Sequence, residues 1–532
     1  MASDGPFWTG VFDAVQKQGK SPAPKDPKSP SDVYLANLNK VDRDPRDGTW
    51  YLLFDMVPAE ASLLALGGRS GDGSPPPIVP TILFHATEVL QPNVYAALGL
   101  ESTDEPAEGS WYVLYLQPDG DPKTDVTGEL YHPDADFGAG VTYKTWHIAA
   151  ADLMSVPMQK GPDVILGAPP AGPGAARQGT LATKRPKTYK PVQGTGIIKL
   201  RRFKAFKRSA VLLPLRRVRP PPPPPPPPPP AGFGAIGVMD VGQGGCNLVF
   251  DRNLEPAVYY DVGYPLGFFR NSLPFTMRAD LPGQWLGPIY QNTANTLQIV
   301  LSHWDWDHWR LGACPANGLG QHLAQLPWMA PNQPMGPTAT VFANALPLAT
   351  SVPLGAPAQA LGNGIVRYSN VAPPGATPAM LINNSGLSLQ IPVDLAGQPG
   401  VPVLLTGDGN FSGLPLAARA GLAGIGAVHH GSGNHGADQN LPAAPFFGPG
   451  YIAYSYGISA VTGNHAYGFP APAAVVNYVA AQWTAPNAQT TAEGANINVG
   501  PAAHGNIRMG DQGALHANYQ NTAFFAVGHA LP

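Results

Sequence analysis

The chain has 532 residues, 62 of them glycine and 63 proline, with a formal net charge of −3. That length allows two to four domains, and 44% hydrophobic residues exclude a wholly disordered chain despite the loop-forming bias. Two cysteines exclude a disulfide scaffold and a cysteine-based zinc ribbon, and no run of 18 apolar residues offers a membrane span.

The opening MASDGPFWTG lacks the basic and apolar regions of a secretory signal, so a cytoplasmic setting is expected. Charge is partitioned sharply. Residues 1–176 carry 23 acidic and 11 basic side chains. Residues 177–219 carry 14 basic side chains and no acidic one. Residues 231–532 carry 12 acidic side chains, seven arginines and no lysine.

In chain order, residues 1–160 read as a small mixed α+β domain. Residues 50–56 (WYLLFDM), 82–85 and 111–116 (WYVLYL) are dense in aromatic and aliphatic side chains, which predicts strands. Residues 90–100 predict a short helix. His85, His132 and His147 are scattered without ligand spacing.

Residues 161–230 read as a basic linker. It ends in eleven consecutive prolines, 220–230, a polyproline II spacer of roughly 34 Å at about 3.1 Å per residue. Lys199, Arg201, Arg202, Lys204, Lys207 and Arg208 make the block 177–219 a candidate arm for nucleic acid. The front domain or the proline run is the candidate surface for a protein partner, and no membrane partner is expected.

Residues 231–532 alternate strands and helices with long loops, which predicts a layered α/β structure. Strands are expected at 235–241, 247–251, 257–262, 297–302, 401–406, 423–428 and 451–456, and helices at 414–423 and 473–483. Residues 301–310, LSHWDWDHWR, carry the chemistry. An apolar strand ends at Ser302, and His303, Asp305, Asp307 and His308 follow within six residues. Imidazole and carboxylate are ligands for zinc, manganese or iron. A second apolar strand, VLLTGDGN, delivers Asp408, a carboxylate able to bridge two cations. A third, AVHHGS, delivers His429 and His430, one suited as a ligand and the other as a supporting or substrate contact. A fourth stretch, 455–470, holds Asn464 and His465.

In this order the motifs resemble the metallo-β-lactamase domain of ComEC-type DNA-uptake proteins. Residues 240–244 read DVGQG, 260–263 YDVG, 303–308 H-x-D-x-D-H, 404–408 LLTGD and 429–432 HHGS. The resemblance covers about 235–485. Phe469 stands where that family has a histidine, and His465 is the candidate substitute. The resemblance implies an αββα sandwich and a hydrolase with two divalent cations, zinc or manganese. It implies His303 and Asp305 on one cation, Asp307 and His308 on the other, and Asp408 bridging. His429 or His430, with His465, would complete the set. Asp307, Asp408 and His430 would be catalytic, and Asp240, Asp261 and Asn464 would support the ligands. With a small substrate, Trp304, Trp306 and Trp309 are expected to stack on a base or an apolar group. The long stretch from His308 to Asp408 is expected to hold an insertion lying over the site. The favoured substrate is a phosphodiester or nucleic acid. A small ester, lactone or cyclic nucleotide is the alternative, and a binding protein with a degenerate metal site the third reading.

Overall fold

In the segment WYLLFDMVP, Leu52, Phe54 and Met56 fall on one side of a strand and Leu53 and Asp55 on the other, and all five are buried. A strand buried on both faces needs a covering layer on each. This computed structural model describes residues mainly within 32–154 and 232–490, together with 507–509 and 529–530; among the stretches outside it are 60–80, 132–143, 265–296, 433–439 and 456–469.

The front half forms six strands: β1 (Asp32–Arg43), β2 (Trp50–Pro58), β3 (Ile82–Val89), β4 (Trp111–Pro118), β5 (Thr127–Tyr131) and β6 (Lys144–Met154). They close into an antiparallel barrel in the order β1-β2-β3-β5-β6-β4. Helix α1 (Gln91–Leu98) stands between β3 and β4, started by Pro92 and ended by Gly99 in the left-handed region. The barrel is filled by Leu38, Leu52, Phe54, Phe84, Tyr112, Leu114 and Ile148, with Phe54 and Tyr112 edge to face at 5.8 Å. Closure leaves the sheet no free edge.

The second half opens with β7 (Ala235–Val238), β8 (Cys246–Phe250), β9 (Pro256–Val262), β10 (Gln298–Val300), β11 (Trp328–Pro331) and β12 (Ala349–Val352). It continues with β13 (Gln359–Gly362), β14 (Ile365–Ser369), β15 (Leu387–Leu395), β16 (Gln398–Leu405), β17 (Gly424–Gly426), β18 (Tyr451–Tyr454), β19 (Ala488–Thr490), β20 (Ile507–Met509) and β21 (His529–Ala530). One sheet has seven strands, β12-β11-β10-β9-β8-β7-β20, and the other eight, β13-β14-β15-β16-β17-β18-β19-β21. Their facing sides share one core, in which Ile236, Val249, Tyr260 and Val300 meet Leu389, Ile391, Val403 and Leu405.

These findings overturn the α/β expectation of an αββα sandwich with a mixed α+β front domain. The protein is mostly β: a closed six-stranded barrel plus two further sheets. Described helices of the second half are short: α2 (Trp306–Trp309), α3 (Leu319–Gln325), α4 (Pro337–Ala345), α5 (Pro378–Asn384), α6 (Leu416–Arg419) and α7 (Pro472–Ala480). The helix expected over 414–423 shrinks to α6, because Pro415 precedes it and Gly421, with φ of 64°, breaks the chain after it. The stretch from His308 to Asp408 is not an insertion over the site. It supplies β11–β16, strands of both sheets. In the front half, β1, β5 and β6 were missed because their sequences mix polar and apolar residues without the aromatic and aliphatic density of β2 and β4.

Among the described residues no helix is long and apolar enough to cross a membrane. The linker 161–230, with its basic arm and proline run, lies outside the described residues.

Candidate metal centre

Strand β10, parallel to β9 in one sheet, and the parallel pair β16 and β17 in the other carry the site just past their carboxyl ends, at His303, Asp408 and His429. The crevice beyond such strand ends is where a sheet leaves side chains free of the ladder. The two sheets are joined there by the Leu387 N–H, which donates to the Ser302 carbonyl at 2.7 Å.

The Asp408 carboxylate sits in the middle. Its Oδ1 is 3.2 Å from His308 Nε2. Its Oδ2 is 3.5 Å from His303 Nε2 and 3.3 Å from His429 Nδ1. His430 Nε2 lies 3.3 Å from Asp307 Oδ2. Donor atoms of His303, His308 and Asp408 gather within 4.8 Å of one another, and so do those of Asp307, His308 and His430. The two groups share His308, whose single Nε2 lone pair serves one cation. His303 with Asp408 Oδ2 therefore forms one pole, and Asp307 with His430 the other. Asp305 belongs to neither group, at 3.9 Å from His303 Nε2.

The imidazoles are aimed by what lies behind them. His308 Nδ1 is 2.8 Å from Asp261 Oδ2. His303 Nδ1 is 2.9 Å from Ser302 Oγ, and the Ser302 hydroxyl donates to Asp261 Oδ2 at 2.8 Å. His430 Nδ1 donates to the Ser455 carbonyl at 2.5 Å. One proton order satisfies this chain: both Nδ1 atoms of His303 and His308 carry hydrogen, and both Nε2 lone pairs face the cluster. The Nε2 atoms of His303 and His308 and Oδ1 of Asp408 are buried and make no hydrogen bond. Buried polar atoms left this way are costly unless a ligand meets them.

The backbone is shaped for this. Gly407 has φ of 58°, and a Cβ there would fall 2.5 Å from the Ser302 side chain. A Cβ on Gly263 would fall 1.7 Å from the Asp307 carbonyl oxygen. His429 and His430 have φ of 46° and 56°, left-handed values rare for residues with a side chain. Each such residue costs about 1 kcal/mol or more, so the surrounding contacts must hold the turn. One of them is the His429 N–H donating to the Gly407 carbonyl at 3.2 Å.

The electrostatics favour a positive occupant. Burial raises the Asp408 carboxyl, yet His429, His308 and His303 overcome this and hold it well below its usual range. Burial likewise raises Asp307, but His308 and His430 bring it well below. Burial opposes charge on His308, and Asp408, Asp261 and Asp307 nevertheless raise it far above the ordinary imidazole value. Asp305 goes the other way, raised by burial and by Asp307. Buried imidazole and carboxylate donors at these separations fit zinc or manganese.

Among the sequence-selected residues, His303, Asp305, Asp307, His308, Asp408, His429 and His430 surround one cluster, with Asp261 directly behind it. Asp240, Asn464, His465 and the arm residues lie outside the described residues. Trp304, Trp306 and Trp309 do not offer faces to substrate. All three are buried in the core beneath the seven-stranded sheet. Arg310 is buried too, with its guanidinium 5.4 Å from the Trp306 ring centre. Sequence reasoning missed Ser302 and Ser455. Ser302 had a signal, since it immediately precedes His303 at a strand end. A small pocket of about 40 Å³ adjoins His308, Asp408 and His430, with Asn247, Thr406, Ala427 and Ser455 on its walls. Compared with known proteins, the chain matches no family model, no curated protein and no solved structure.

Proposed function

We infer that the protein is a metal-dependent hydrolase that works with two divalent cations, zinc or manganese, and acts on phosphodiesters, nucleic acid foremost. The observation that carries this reading is the convergence of buried Nε2 atoms and the Asp408 carboxylate, with the far side of each imidazole ring already anchored. The motif-level likeness to metallo-β-lactamase hydrolases of the ComEC type supports it, and so does the basic block 177–219.

His303 and Asp408 would hold one cation, and Asp307, His308 and His430 the other. Two cations so held would supply Lewis acidity and a nucleophile at neutral pH for in-line displacement at phosphorus. Asp408 presents Oδ1 to His308 and Oδ2 to His303, so its carboxylate would serve both. Asp261 and Ser302 keep the His303 and His308 rings from turning. The buried surroundings strengthen every charge interaction at the cluster.

The test is metal analysis of the purified full chain, followed by hydrolysis of a bis-aryl phosphate and of single- and double-stranded DNA. Bound cation and diester cleavage are expected, with both lost in His303→Ala and Asp408→Ala. A chain that takes up no zinc or manganese overturns the reading. Cleavage of carboxylic esters alone overturns its phosphodiester part.

A further inference from the structure

Asp408 stands between two glycines, Gly407 and Gly409. Each glycine is required by a close approach. A Cβ on Gly407 would meet the Ser302 side chain, and one on Gly409 would fall 1.8 Å from Asn370 Nδ2. A ligand carried between two residues without side chains has little local support, so its place is set from outside the turn.

That support comes from one segment, the end of α5 and the start of β15. Asn384, the last residue of α5, accepts the Asn410 N–H through Oδ1 at 3.0 Å. The Gly386 carbonyl accepts the Asn370 N–H at 2.8 Å. The Ser388 hydroxyl donates to Asn370 Oδ1 at 2.7 Å, which holds the carboxamide that packs on Gly409. The same segment grips the loop of His303. The Leu387 N–H donates to the Ser302 carbonyl, and a Cβ on Gly386 would collide with that oxygen. Gln333 closes the brace: its Oε1 accepts the Trp304 N–H at 3.3 Å, and its Nε2 donates to Ser385 Oγ at 3.1 Å. Residues 384–388 thus tie the loop that bears His303 to the turn that bears Asp408.

Within this brace the Asn384 side chain has one identifiable task. Only an oxygen can receive the Asn410 N–H, so the amide nitrogen of Asn384 faces the other way. That Nδ2 is buried and makes no hydrogen bond. An unpaired buried amide is costly, and an apolar side chain would fill a core position at less cost. The carboxamide therefore serves the turn that carries Asp408 rather than the packing of the core.

We propose that Asn384 is a positioning residue of the metal centre, which sets Asp408 Oδ2 opposite His303 and so fixes affinity for the cation at that pole. The inference rests on the hydrolase reading and deepens it: the two cations depend on separate supports. The pole of His303 relies most on Asp408 and the 384–388 segment. The other has Asp307, His308 and His430, with Asp261 and the Ser455 carbonyl behind the two imidazoles.

The experiment uses the full chain and compares wild type, Asn384→Ala, Asn384→Asp and Asn410→Pro. Aspartate keeps the acceptor oxygen and loses the amide. Proline at 410 removes the donor instead, and that residue already has φ of −60°, which proline adopts without strain. Manganese binding is followed by equilibrium dialysis. The EPR signal reports whether two ions are close enough to couple, and kcat for a bis-aryl phosphate is measured against manganese concentration. Wild type is expected to bind two ions with a coupled signal. In Asn384→Ala and Asn410→Pro, affinity for the second ion is expected to fall about 10- to 100-fold and the coupled signal to give way to that of isolated manganese. Their kcat is expected to return to the wild-type level at raised manganese, and Asn384→Asp is expected to keep the second ion. Two ions bound at wild-type affinity in Asn384→Ala overturn the proposal. So does equal weakening of both ions, which would make Asn384 a support of the fold at large. Asn384→Asp behaving as Asn384→Ala also overturns it, because the acceptor oxygen would then not be what matters. A wild-type chain that takes up no manganese overturns the hydrolase reading itself, and this inference with it.

Discussion

Asp261 is the residue on which the candidate metal centre turns, standing behind the His and Asp cluster. It holds φ of 65° with its side chain buried, receives the Ser302 N–H and hydroxyl, and meets His308 Nδ1. Replacing it with asparagine keeps the shape but puts an amide where His308 needs an acceptor. Asp261→Asn is therefore expected to lower affinity for zinc or manganese by about 10- to 100-fold while leaving the circular dichroism spectrum unchanged. A chelator-competition titration reads this directly. Unaltered affinity would show that Asp261 has no part in orienting the ring. Gly263 acts by what it lacks. Any side chain there collides with the Asp307 carbonyl, so Gly263→Ala is expected to destabilise by about 1–3 kcal/mol or more and to displace the metal loop. Its thermal midpoint and its manganese content should fall together.

At the level of elements, the joint between β2 and α4 carries its own pH signature. Burial pushes the Asp55 carboxyl up to about 7, and the hydrogen bonds from Thr338 only moderate this. In the unfolded chain the group titrates near 3.8. Between those values the folded protein holds a proton that the unfolded chain has released. Stability from this group is thus present below about pH 4, falls as pH rises toward 7, and changes no further above that. Asp55→Asn is expected to flatten that part of the profile, read as denaturation midpoints at pH 5 and pH 8 in both proteins. An identical pH dependence would mean that Asp55 is not buried as described. The same elements show which parts of the sequence were readable. Strands β2, β4, β9, β10 and β16 are apolar runs, because each is covered on both faces or ends a core, and hydrophobic density reveals that directly. The metal loop was legible because His303, Asp305, Asp307 and His308 are adjacent in sequence. What escaped was set by distant partners. Nothing around Leu53 or Leu83 predicts that they cover Trp304 and Trp306, which the sequence assigns to stacking on substrate and the fold buries against the barrel. The helix expected over 414–423 ran too long for another reason. The alanine-rich stretch after Asp408 has helical propensity, but Pro415 and Gly421 confine it.

For the whole molecule, the arrangement assigns unequal tasks to the two halves. The lysine-free half gathers the buried His and Asp cluster, and the barrel lays Leu53 and Leu83 against the tryptophans of the loop that carries it. Burying Leu53 and Leu83 against that loop contributes about 1.5–3 kcal/mol each, enough to keep the halves together once joined. The basic block 177–219 lies in sequence between them. If it holds nucleic acid, removing 177–219 is expected to abolish salt-dependent DNA binding and leave bis-aryl phosphate hydrolysis intact. DNA affinity unchanged by the deletion, at both low and high salt, would assign that block another role.

The separation of Asp55 and Thr338 by 283 positions has a consequence during synthesis. A ribosome adding about 5–20 residues per second leaves roughly 15–60 s between the two. The barrel closes only when β6 ends at Met154, so for roughly 9–37 s of that interval the finished barrel carries a bare greasy patch at Leu53 and Leu83. The newborn chain is at its stickiest then, and a holding chaperone has its best opportunity to engage the barrel before the rest of the polypeptide arrives.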